Sequence, residues 1–477
     1  MKKIGIYCFS NTSYFFKELV LEGIEDFEFY AIVQRHQQKK LFDDILDKKN
    51  ILYLYEKFNQ SYSLNDDTNI NFQFNNIYKI LESDKDGYRN IDKDKQLILV
   101  KNIYSIYKKY LLEKKIDYML FPDIETVDGN ILINLCYELN IEPIYYVHTR
   151  YLGKSFFSST VIENLPKYYG KFTNNDVKLA KNFLTDFKMK RINSSNLLKT
   201  WTDYESKKIV VSNVFKRAIT SFKYKLGLEK NYFGEDNFFQ KMRTNIVPIL
   251  EIYRKFMFSY QKKYFDIFDD KDINKLPNNF ILFALQVTPE SSINTLEQYF
   301  TEQEKAIDLV RLNMPSSFYI IVKEHPMMLG IRKTSWYRKI RKKAGIILVS
   351  SEVNTNKLVD RAALICTVTG TIALECYLKD KPALMFGSTF FSHLVHNYDS
   401  YKNFRLYLND IIFNHIPTTE EEKIEELAKI YNISYSTIID DPLRKEVVME
   451  KGNVKNCLDA IKEHIIRIEK YNEENKI

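Results

Sequence analysis

The segment Ala363–Glu375, ALICTVTGTIALE, joins an apolar run to a helical pattern through a turn that is rich in hydroxyl groups. The run ALICTV is typical of a buried strand. The following threonine turn, Thr367–Thr371, places three threonines around Gly370. Two interpretations compete. The turn is either a helix start made by an N-cap threonine and a turn glycine, or a pocket in which backbone and hydroxyl groups bind an anion.

Strand-like and helical patterns alternate on both sides of this segment. Apolar runs typical of strands are KKIGIYCFS, DFEFYAIVQ, NILYLYEKF, DYMLFPD and EPIYYVH in the first half of the chain, and FILFALQV, SFYIIVK, GIILV, ALICTV and KPALMFG in the second. Helical patterns such as SYFFKELVLEG and LILVKNIYSIYKKYLLEKK separate many of them. This alternation predicts an α/β fold in which parallel strands carry helices on both faces.

Length and composition predict two domains. A chain of 477 residues is too long for one ordinary core. We expect an N-terminal Rossmann-like domain over residues 1–275, with a helical, aromatic and basic insert at about 176–266. A second Rossmann-like domain is expected over residues 276–415, and residues 416–477 have the pattern of C-terminal helices. In this architecture the two doubly wound domains face a cleft that holds the ligand.

The composition is that of a soluble globular protein in a reducing compartment. The formal net charge of +8 fits acidic small substrates or an anionic membrane surface, and is weak support for nucleic acid. The five cysteines are scattered without metal-binding spacing. Because no apolar run approaches the ~18–20 residues of a membrane span, we expect a cytoplasmic protein, with the inner face of the cytoplasmic membrane as an alternative location.

Polar side chains follow three strands of the predicted second domain. FILFALQV runs into Gln286 and Glu290, while SFYIIVK runs into Lys323, Glu324, His325 and Pro326. The threonine turn follows the third strand, ALICTV. Ligands of open parallel sheets bind beyond the carboxyl ends of the strands. Three polar clusters on one edge therefore favour the anion-pocket interpretation of the threonine turn.

Each of these side chains has a chemical role to test. His325 can donate a hydrogen bond to a phosphate oxygen, and Pro326 fixes the turn that aims it. Lys323 would supply a second positive charge. Glu290 would hold ribose hydroxyls or a base edge, or else complement a helix dipole. A histidine after a strand is, taken alone, more often a turn or surface residue.

The first domain offers candidate bases in the segment FPDIETVDGN. Asp123, Glu125 and Asp128 are candidates for the carboxylate that deprotonates an acceptor hydroxyl. We favour Asp128, which is followed by a glycine before the next helix, although an N-cap aspartate has the same pattern. Further along, Arg150 and Lys154 leave a strand end and would bind an anionic sugar or an acceptor phosphate, or form a solvated basic loop.

We expect no metal site. His393 and His396 are three positions apart, as metal ligands on a helical turn can be, but no nearby carboxylate or cysteine completes a site. The chain also lacks the glycine-rich phosphate loops of ATPases and dinucleotide-binding proteins and the serine elbow of α/β-hydrolases.

Three stretches together resemble the bacterial capsule polysaccharide biosynthesis family. They are LQVTPESS, VKEHPMMLG and ICTVTGTIALECYLKDKPALMFG, which match in order and spacing over roughly residues 279–390. The family includes inverting Kdo transferases with the GT-B fold, so the resemblance implies a GT-B-like fold with two Rossmann-type domains. Over the first domain the resemblance is looser and rests on PDIETVDG and HTRYLGKSFFSS.

The resemblance also implies roles for individual residues. Related sialyltransferases use an HP motif, a hydroxyl-rich motif and an acidic residue next to a glycine. By that similarity His325, Thr369 and Thr371 would bind the phosphate of a CMP-sugar, and Asp128 would be the base. The other donor-side residues of the pattern are Gln286, Glu290, Lys323, Pro326, Gly370 and Glu375.

Three functions remain open. The first is a metal-independent inverting glycosyltransferase that needs no cofactor. It would move an ulosonic acid, such as Kdo or a sialic-type acid, from a CMP-sugar to a saccharide or lipid-linked acceptor, and so build a surface polysaccharide or glycoconjugate. The second is a polyol-phosphate transferase of the teichoic-acid kind. The third is a non-catalytic capsule-assembly partner that docks through the basic aromatic segment KYKLGLEKNYF.

Overall fold

The computed structural model describes residues 1–57, 70, 77–83, 93–124, 126–189, 256–288, 291–294, 296–297, 299–400, 402–442 and 445–475. The chain divides into two compact units. The first combines Met1–Asn245 with Ile424–Ile477, and the second is Ile246–Lys423. The predicted α/β class with two doubly wound sheets is confirmed. The unit boundaries differ from the predicted domain boundaries, because most of the C-terminal helical region belongs to the first unit.

The first unit contains a six-stranded sheet. Its strands are β1 (Lys2–Cys8), β2 (Phe27–Val33), β3 (Ile51–Tyr53), β4 (Tyr118–Phe121), β5 (Glu142–His148) and β6 (Ser155–Ser158). Its helices within the described residues are α1 (Thr12–Gly23), α2 (His36–Phe42), α3 (Ile77–Ser83), α4 (Lys93–Lys114), α5 (Val127–Glu138) and α6 (Asn174–Lys188). The strand order is β3-β2-β1-β4-β5-β6, which is the order of a doubly wound Rossmann sheet.

Strand β6 was not expected from the sequence. It pairs antiparallel with β5, whereas the other neighbouring strands in this sheet are parallel. Only four residues long, β6 carries the sequence SFFS, and its first residue, Ser155, also pairs with Tyr435 from the C-terminal region. These partners lie far away in the sequence, so a short-range pattern cannot reveal them.

The C-terminal helix completes the core of the first unit. Helix α14 (Lys451–Glu474) buries a stripe at helical spacing that includes Val454, Leu458, Ile461 and Ile465. The stripe joins the core cluster that contains residues of α1 and the sheet. Helix α1 comes so close that a Cβ on Gly23 would lie 2.7 Å from Leu458 Cδ1.

The second unit also contains a six-stranded sheet. Its strands are β7 (Phe280–Ala284), β8 (Tyr319–Lys323), β9 (Ile346–Val349), β10 (Leu364–Thr367), β11 (Ala383–Met385) and β12 (His396–Asn397). Among the residues that the structure describes, its helices include α7 (Ser291–Asn294), α8 (Gln303–Asn313), α9 (Thr334–Arg341), α10 (Thr355–Arg361), α11 (Ile372–Leu378) and α12 (Phe404–Asn414). Helix α13 (Glu420–Ile433) begins in the second unit and ends in the first. The order β12-β11-β10-β7-β8-β9 repeats the arrangement of the first unit, and the strand pairs are parallel.

The central strands of the second sheet are buried on both faces. Four of the five residues of β7 and four of the five residues of β8 are buried, as expected for parallel strands covered by helices. Two elements, α10 and α12, lie in segments for which the sequence pattern predicted no helix. Within the described residues, no helix is both long enough and apolar enough to cross a membrane.

Candidate functional site

Each sheet has a switch point at which the strand order reverses. It lies between β1 and β4 in the first unit and between β7 and β10 in the second, and ligands of doubly wound sheets bind beside such points. Gln286 and Thr369 follow β7 and β10, Tyr7 is near the end of β1, and Asp128 is in the helix after β4. Both switch points therefore carry polar side chains.

The Gln286 side chain connects the two strand ends at the switch point of the second unit. Its Oε1 accepts hydrogen bonds from the Thr369 N–H at 2.7 Å and from the Thr367 hydroxyl at 3.3 Å. Its Nε2 donates to Thr369 Oγ1 at 3.1 Å. Within the turn, the Gly370 N–H donates to Thr367 Oγ1 at 3.2 Å. The threonine turn is thus held by its own side chains and by a residue of β7's carboxyl end.

Two glycines allow this close packing. A Cβ on Gly370 would lie 2.5 Å from Thr367 Oγ1, so the hydroxyl that closes the turn occupies the place of a side chain at position 370. A Cβ on Gly387, after β11, would lie 2.6 Å from Thr369 Cγ2 and 2.5 Å from Glu297 Cβ. Gly387 therefore also determines where the Thr369 side chain can lie.

The side chain of Thr371 does not cap the following helix. Helix α11 begins at Ile372 with Thr371 in the N-cap position, as predicted, but the Thr371 side chain makes no capping hydrogen bond. Its backbone is helical, with φ −55° and ψ −21°, whereas a capping residue is usually extended. The N-cap interpretation of the turn is therefore not realised, and anion binding stays a prediction.

His325 follows β8 with one ring nitrogen already engaged. The Met327 N–H donates to His325 Nδ1 at 3.2 Å, and Pro326 begins the short 3-10 turn that brings these atoms together. A neutral imidazole whose Nδ1 accepts a hydrogen bond carries its proton on Nε2. Burial, together with the nearby charges of Lys323 and Arg332, lowers the pKa of His325 to about 4. At neutral pH, Nε2–H is therefore a neutral hydrogen-bond donor.

A buried ion pair lies directly behind His325. Glu324 is 1% exposed, and its Oε1 accepts from the His325 N–H at 2.7 Å. Arg332 Nε donates to Glu324 Oε2 at 2.7 Å, and the Tyr337 hydroxyl donates to the same oxygen at 2.7 Å. Arg332 Nη2 also donates to the Gln286 carbonyl at 3.2 Å. A continuous chain of hydrogen bonds therefore connects the histidine segment with Gln286 and the threonine turn.

Gln303 of α8 holds the backbone at Gln286. The Gln286 N–H donates to Gln303 Oε1 at 2.9 Å, and Gln303 Nε2 donates to the Gln286 carbonyl at 3.0 Å and to Thr288 Oγ1 at 3.0 Å. The sequence pattern did not single out Gln303 or Arg332. In the sequence, each of them is recognisable only as a polar residue in a segment that becomes buried in the fold.

The remaining donor-side candidates have other contacts or lie outside the described residues. Lys323 Nζ donates to the Ser351 carbonyl after β9 at 3.3 Å, and burial lowers the pKa of Lys323 to about 8. Glu375 forms an ion pair with Lys379 at 2.6 Å, one turn further along α11. Glu290 lies outside the described residues.

In the first unit, the carboxylate of Asp128 is the acceptor at the centre of a buried polar cluster. It is 2% exposed, and Oδ2 accepts from the Tyr7 hydroxyl at 3.1 Å, from the Tyr107 hydroxyl at 3.3 Å and from Gln34 Nε2. Gln34 Nε2 also donates to the Tyr7 hydroxyl at 2.6 Å. Burial and the Asp128 charge raise the pKa of Tyr107 well above its usual value, so Tyr107 stays a donor.

The N-cap alternative for Asp128 does not apply, because Thr126 is the N-cap of α5 and its hydroxyl accepts from the Gly129 N–H at 3.4 Å. Of the other candidate bases, Asp123 is half-buried and its Oδ1 accepts from the Ile124 N–H at 2.7 Å. Glu125 lies outside the described residues.

The predicted anion-binding loop after β5 makes contacts of its own. Arg150 Nη2 is 2.6 Å from Glu163 Oε1, and both residues have positive φ angles, 62° and 55°. Lys154 Nζ donates to Ser436 Oγ at 3.0 Å. His148 Nδ1 accepts from the Arg150 N–H at 2.9 Å. Whether Arg150 and Lys154 bind an acceptor stays a prediction.

His393 and His396 line a cavity of about 360 Å³ beside the amino ends of β11 and β12. His396 Nε2 lies 3.3 Å from His415 Nδ1. Within the part of the chain that the structure describes, no group of three or more histidine, cysteine, aspartate or glutamate side chains is arranged to hold a metal ion. The expectation of a metal-independent reaction stays a prediction.

Residues 194–399 match the family described as capsule polysaccharide biosynthesis protein. The resemblance to the capsule polysaccharide biosynthesis family is confirmed. The matched segment includes the threonine turn, His325 and Gln286, so the family region contains the hydrogen-bonded chain at the second switch point. No curated protein matches the chain significantly.

Solved structures that resemble this chain include UDP-GlcNAc 2-epimerases and Kdo transferases. A UDP-GlcNAc 2-epimerase from Methanocaldococcus jannaschii is 12% identical over 90% of this chain and 99% of its own, with a TM-score of 0.26. A β-Kdo 2,4-transferase from Thermosulfurimonas dismutans is 12% identical over 73% of this chain and 87% of its own, with a TM-score of 0.32. The β-Kdo 2,7-transferase from the same organism is 12% identical over 69% of this chain and 89% of its own, with a TM-score of 0.28. Similarity at this level supports no conclusion about activity.

Proposed function

We propose that this protein is a glycosyltransferase of capsule or other surface polysaccharide synthesis that transfers a sugar from a CMP-linked donor. The observation that carries the proposal is the hydrogen-bonded chain that joins His325 to the threonine turn through Glu324, Arg332 and Gln286. It lies at the switch point of the second sheet and within the residues that match the capsule family.

The donor phosphate would bind at this edge. In a parallel sheet, neighbouring strands are about 4.8 Å apart, so the ends of β8 and β10 lie about 10 Å apart on either side of β7. His325 Nε2–H would donate to the phosphate from one side, and the Thr371 hydroxyl and N–H would donate from the other, since the N–H groups of Thr369 and Gly370 already have acceptors within the turn. These groups stabilise the single phosphate of a departing CMP without an additional proton.

The acceptor hydroxyl would lose its proton to a carboxylate of the first unit, for which we propose Asp128. Hydrogen bonds to a carboxylate favour its ionised form, and a base must be ionised before it accepts a proton. The Tyr7 and Tyr107 hydroxyls would orient the carboxylate. Attack by the acceptor opposite the leaving phosphate would invert the anomeric centre. Kdo or a sialic-type acid is the proposed sugar, since the motifs resemble those of Kdo transferases.

Two experiments test the function. A thermal-shift screen of CMP, CDP, UDP and GDP is expected to raise the melting temperature most with CMP, because a ligand that binds only the folded state stabilises it. A transfer assay with CMP-Kdo and CMP-sialic acid on saccharide acceptors then compares wild type with His325→Ala. Full transfer by a folded His325→Ala protein would remove the phosphate role. A phosphodiester product would instead indicate a polyol-phosphate transferase.

The base assignment has its own test. Asp128→Asn is expected to lower the transfer rate by about 10²–10⁴-fold while donor binding is kept, as for the loss of a general base. Asp123→Asn is the matched control, because it neutralises the half-buried neighbour in the same segment. A larger loss in Asp123→Asn than in Asp128→Asn would transfer the role to Asp123.

A further inference from the structure

We propose that Arg332 is a positioning residue, which holds His325 and Gln286 in the relative orientation that the donor phosphate requires. This inference rests on the proposed function and adds to it a residue that lies outside the family-like motifs. Arg332 follows the HP segment by several residues and precedes α9. It sits where the carboxyl ends of β7 and β8 can be linked by one side chain.

The geometry of the guanidinium supports this role. Its Nε and Nη2 donate to both oxygens of Glu324, at 2.7 Å and 3.3 Å, which is a fork that a lysine cannot reproduce. Nη2 also donates to the Gln286 carbonyl at 3.2 Å. The guanidinium carbon lies 4.6 Å from the centre of the Trp336 ring, which packs against it. Arg332 therefore has one defined position.

Both strand ends depend on that position. Glu324 Oε1, which Arg332 holds, is also the acceptor of the His325 N–H. The Gln286 carbonyl, which Arg332 holds too, belongs to the residue whose side chain binds the Thr369 N–H. A shift of the guanidinium would move the histidine and the threonine turn relative to each other.

A purely stabilising role explains these contacts less well. The Glu324 side chain is fully buried and that of Arg332 is 10% exposed. Removing two charges from water costs several kcal/mol, and well-packed apolar side chains often stabilise a fold as well as such a pair does. An apolar side chain cannot donate hydrogen bonds both to the Glu324 carboxylate after β8 and to the Gln286 carbonyl after β7, as Arg332 does.

The test uses the full chain with two variants and a control. Arg332→Lys keeps the charge but loses the fork, while the double variant Arg332→Met with Glu324→Gln removes both charges, so that no unpaired buried charge remains to unfold the protein. Arg338→Lys, on the exposed side of α9 with a bond to Tyr264, is the matched control. Circular dichroism and thermal unfolding establish that each variant is folded.

The decisive readout is the tautomer of His325 in the ligand-free protein, measured by nitrogen-15 NMR of labelled histidine. Wild type and Arg338→Lys are expected to show the Nε2–H form, and the two Arg332 variants a mixture of both tautomers. CMP affinity, measured by calorimetry, is expected to fall at least tenfold in the Arg332 variants only. An unchanged tautomer in both Arg332 variants overturns the inference.

Failure of the proposed function gives a different result. If the wild-type protein binds no CMP, the proposed function fails, and the tautomer measurement still decides whether Arg332 positions His325. Lys323, Glu324 and Arg332 carry charges close to the His325 ring. Because Lys323 is unchanged in every variant, a change in the tautomer of His325 is due to the changes at Arg332 and Glu324.

Discussion

Gln286 Oε1 accepts a hydrogen bond from the backbone N–H of Thr369 at 2.7 Å, although 83 positions separate the two residues. The bond crosses from the end of β7 to the end of β10, the two strands that flank the switch point of the second sheet. A side chain of one strand thereby fixes the backbone of the turn that we propose as the phosphate site.

We predict that Gln286→Glu keeps the fold but weakens anion binding. The remaining Oε1 can still accept from the Thr369 N–H, and Thr369 Oγ1 can reverse its role and donate to the second oxygen. The new negative charge would repel a phosphate. Calorimetric titration with CMP should show at least a tenfold loss of affinity. Lys455→Gln, which lowers the net charge by the same amount at an exposed position of α14 in the first unit, serves as control. Equal affinity in Gln286→Glu and wild type would contradict the prediction.

The sequence predicts the sheets and most strand ends well. Apolar runs separated by helical patterns predict the two Rossmann-type sheets and the helix after the threonine turn. Because parallel strands align their carboxyl ends, they also predict that Gln286, His325 and the threonine turn lie at one edge of the second sheet. The order of strands within each sheet then brings β7 between β8 and β10.

The partners that hold these residues are not predictable in the same way. Arg332 lies in a loop and Gln303 at the start of a helix, and both form hydrogen bonds with the backbone of Gln286. The local sequence pattern around each residue does not predict this partner. In the first unit, Tyr7 of β1 and Gln34, which follows β2, both donate to the Asp128 carboxylate. Such contacts depend on the folded positions of distant segments, and short-range periodicity does not contain that information.

We predict that Gly370→Ala destabilises the protein by about 1–3 kcal/mol, because the new Cβ would lie 2.5 Å from Thr367 Oγ1 and displace the hydroxyl that closes the turn. The free energy of unfolding from urea titration measures the effect. Gly452→Ala in α14 is the control, since a Cβ there meets nothing within 4 Å. A loss in Gly370→Ala no larger than in the control would mean that the turn is not so tightly closed.

We predict that His325 makes the protein less stable in acid. Its pKa is about 4 in the folded protein against 6.5 for an ordinary histidine. Between these values the unfolded chain binds the proton and the folded protein does not, so stability falls as the pH drops from about 6.5 to about 4. At about pH 5, the share of His325 is on the order of 1–2 kcal/mol.

The check compares wild type with His325→Asn in urea unfolding. The difference between stability at about pH 7 and at about pH 5 should be smaller in the variant by the amount given above. His148, whose pKa is also lowered to about 4, keeps contributing in both proteins. Identical pH dependence of the two proteins would show that His325 is not buried and crowded by cations as described.

We predict that Leu458→Ala destabilises the first unit by about 2–4 kcal/mol, because its side chain packs against α1 in the core to which α14 contributes. Ile466→Ala, on the exposed side of the same helix, should change stability by no more than about 0.5 kcal/mol. Thermal unfolding of both variants measures the difference. Similar melting temperatures would mean that α14 is not part of the core.

The central claim is that His325 and the threonine turn together bind the phosphate of a cytidine nucleotide. Isothermal titration of CMP into wild type, His325→Ala and the exposed-histidine control His393→Ala tests it most directly. We predict one bound CMP per chain in wild type and His393→Ala, with affinity at least tenfold weaker in a folded His325→Ala protein. No CMP binding by wild type, or equal affinity in all three proteins, would contradict the claim.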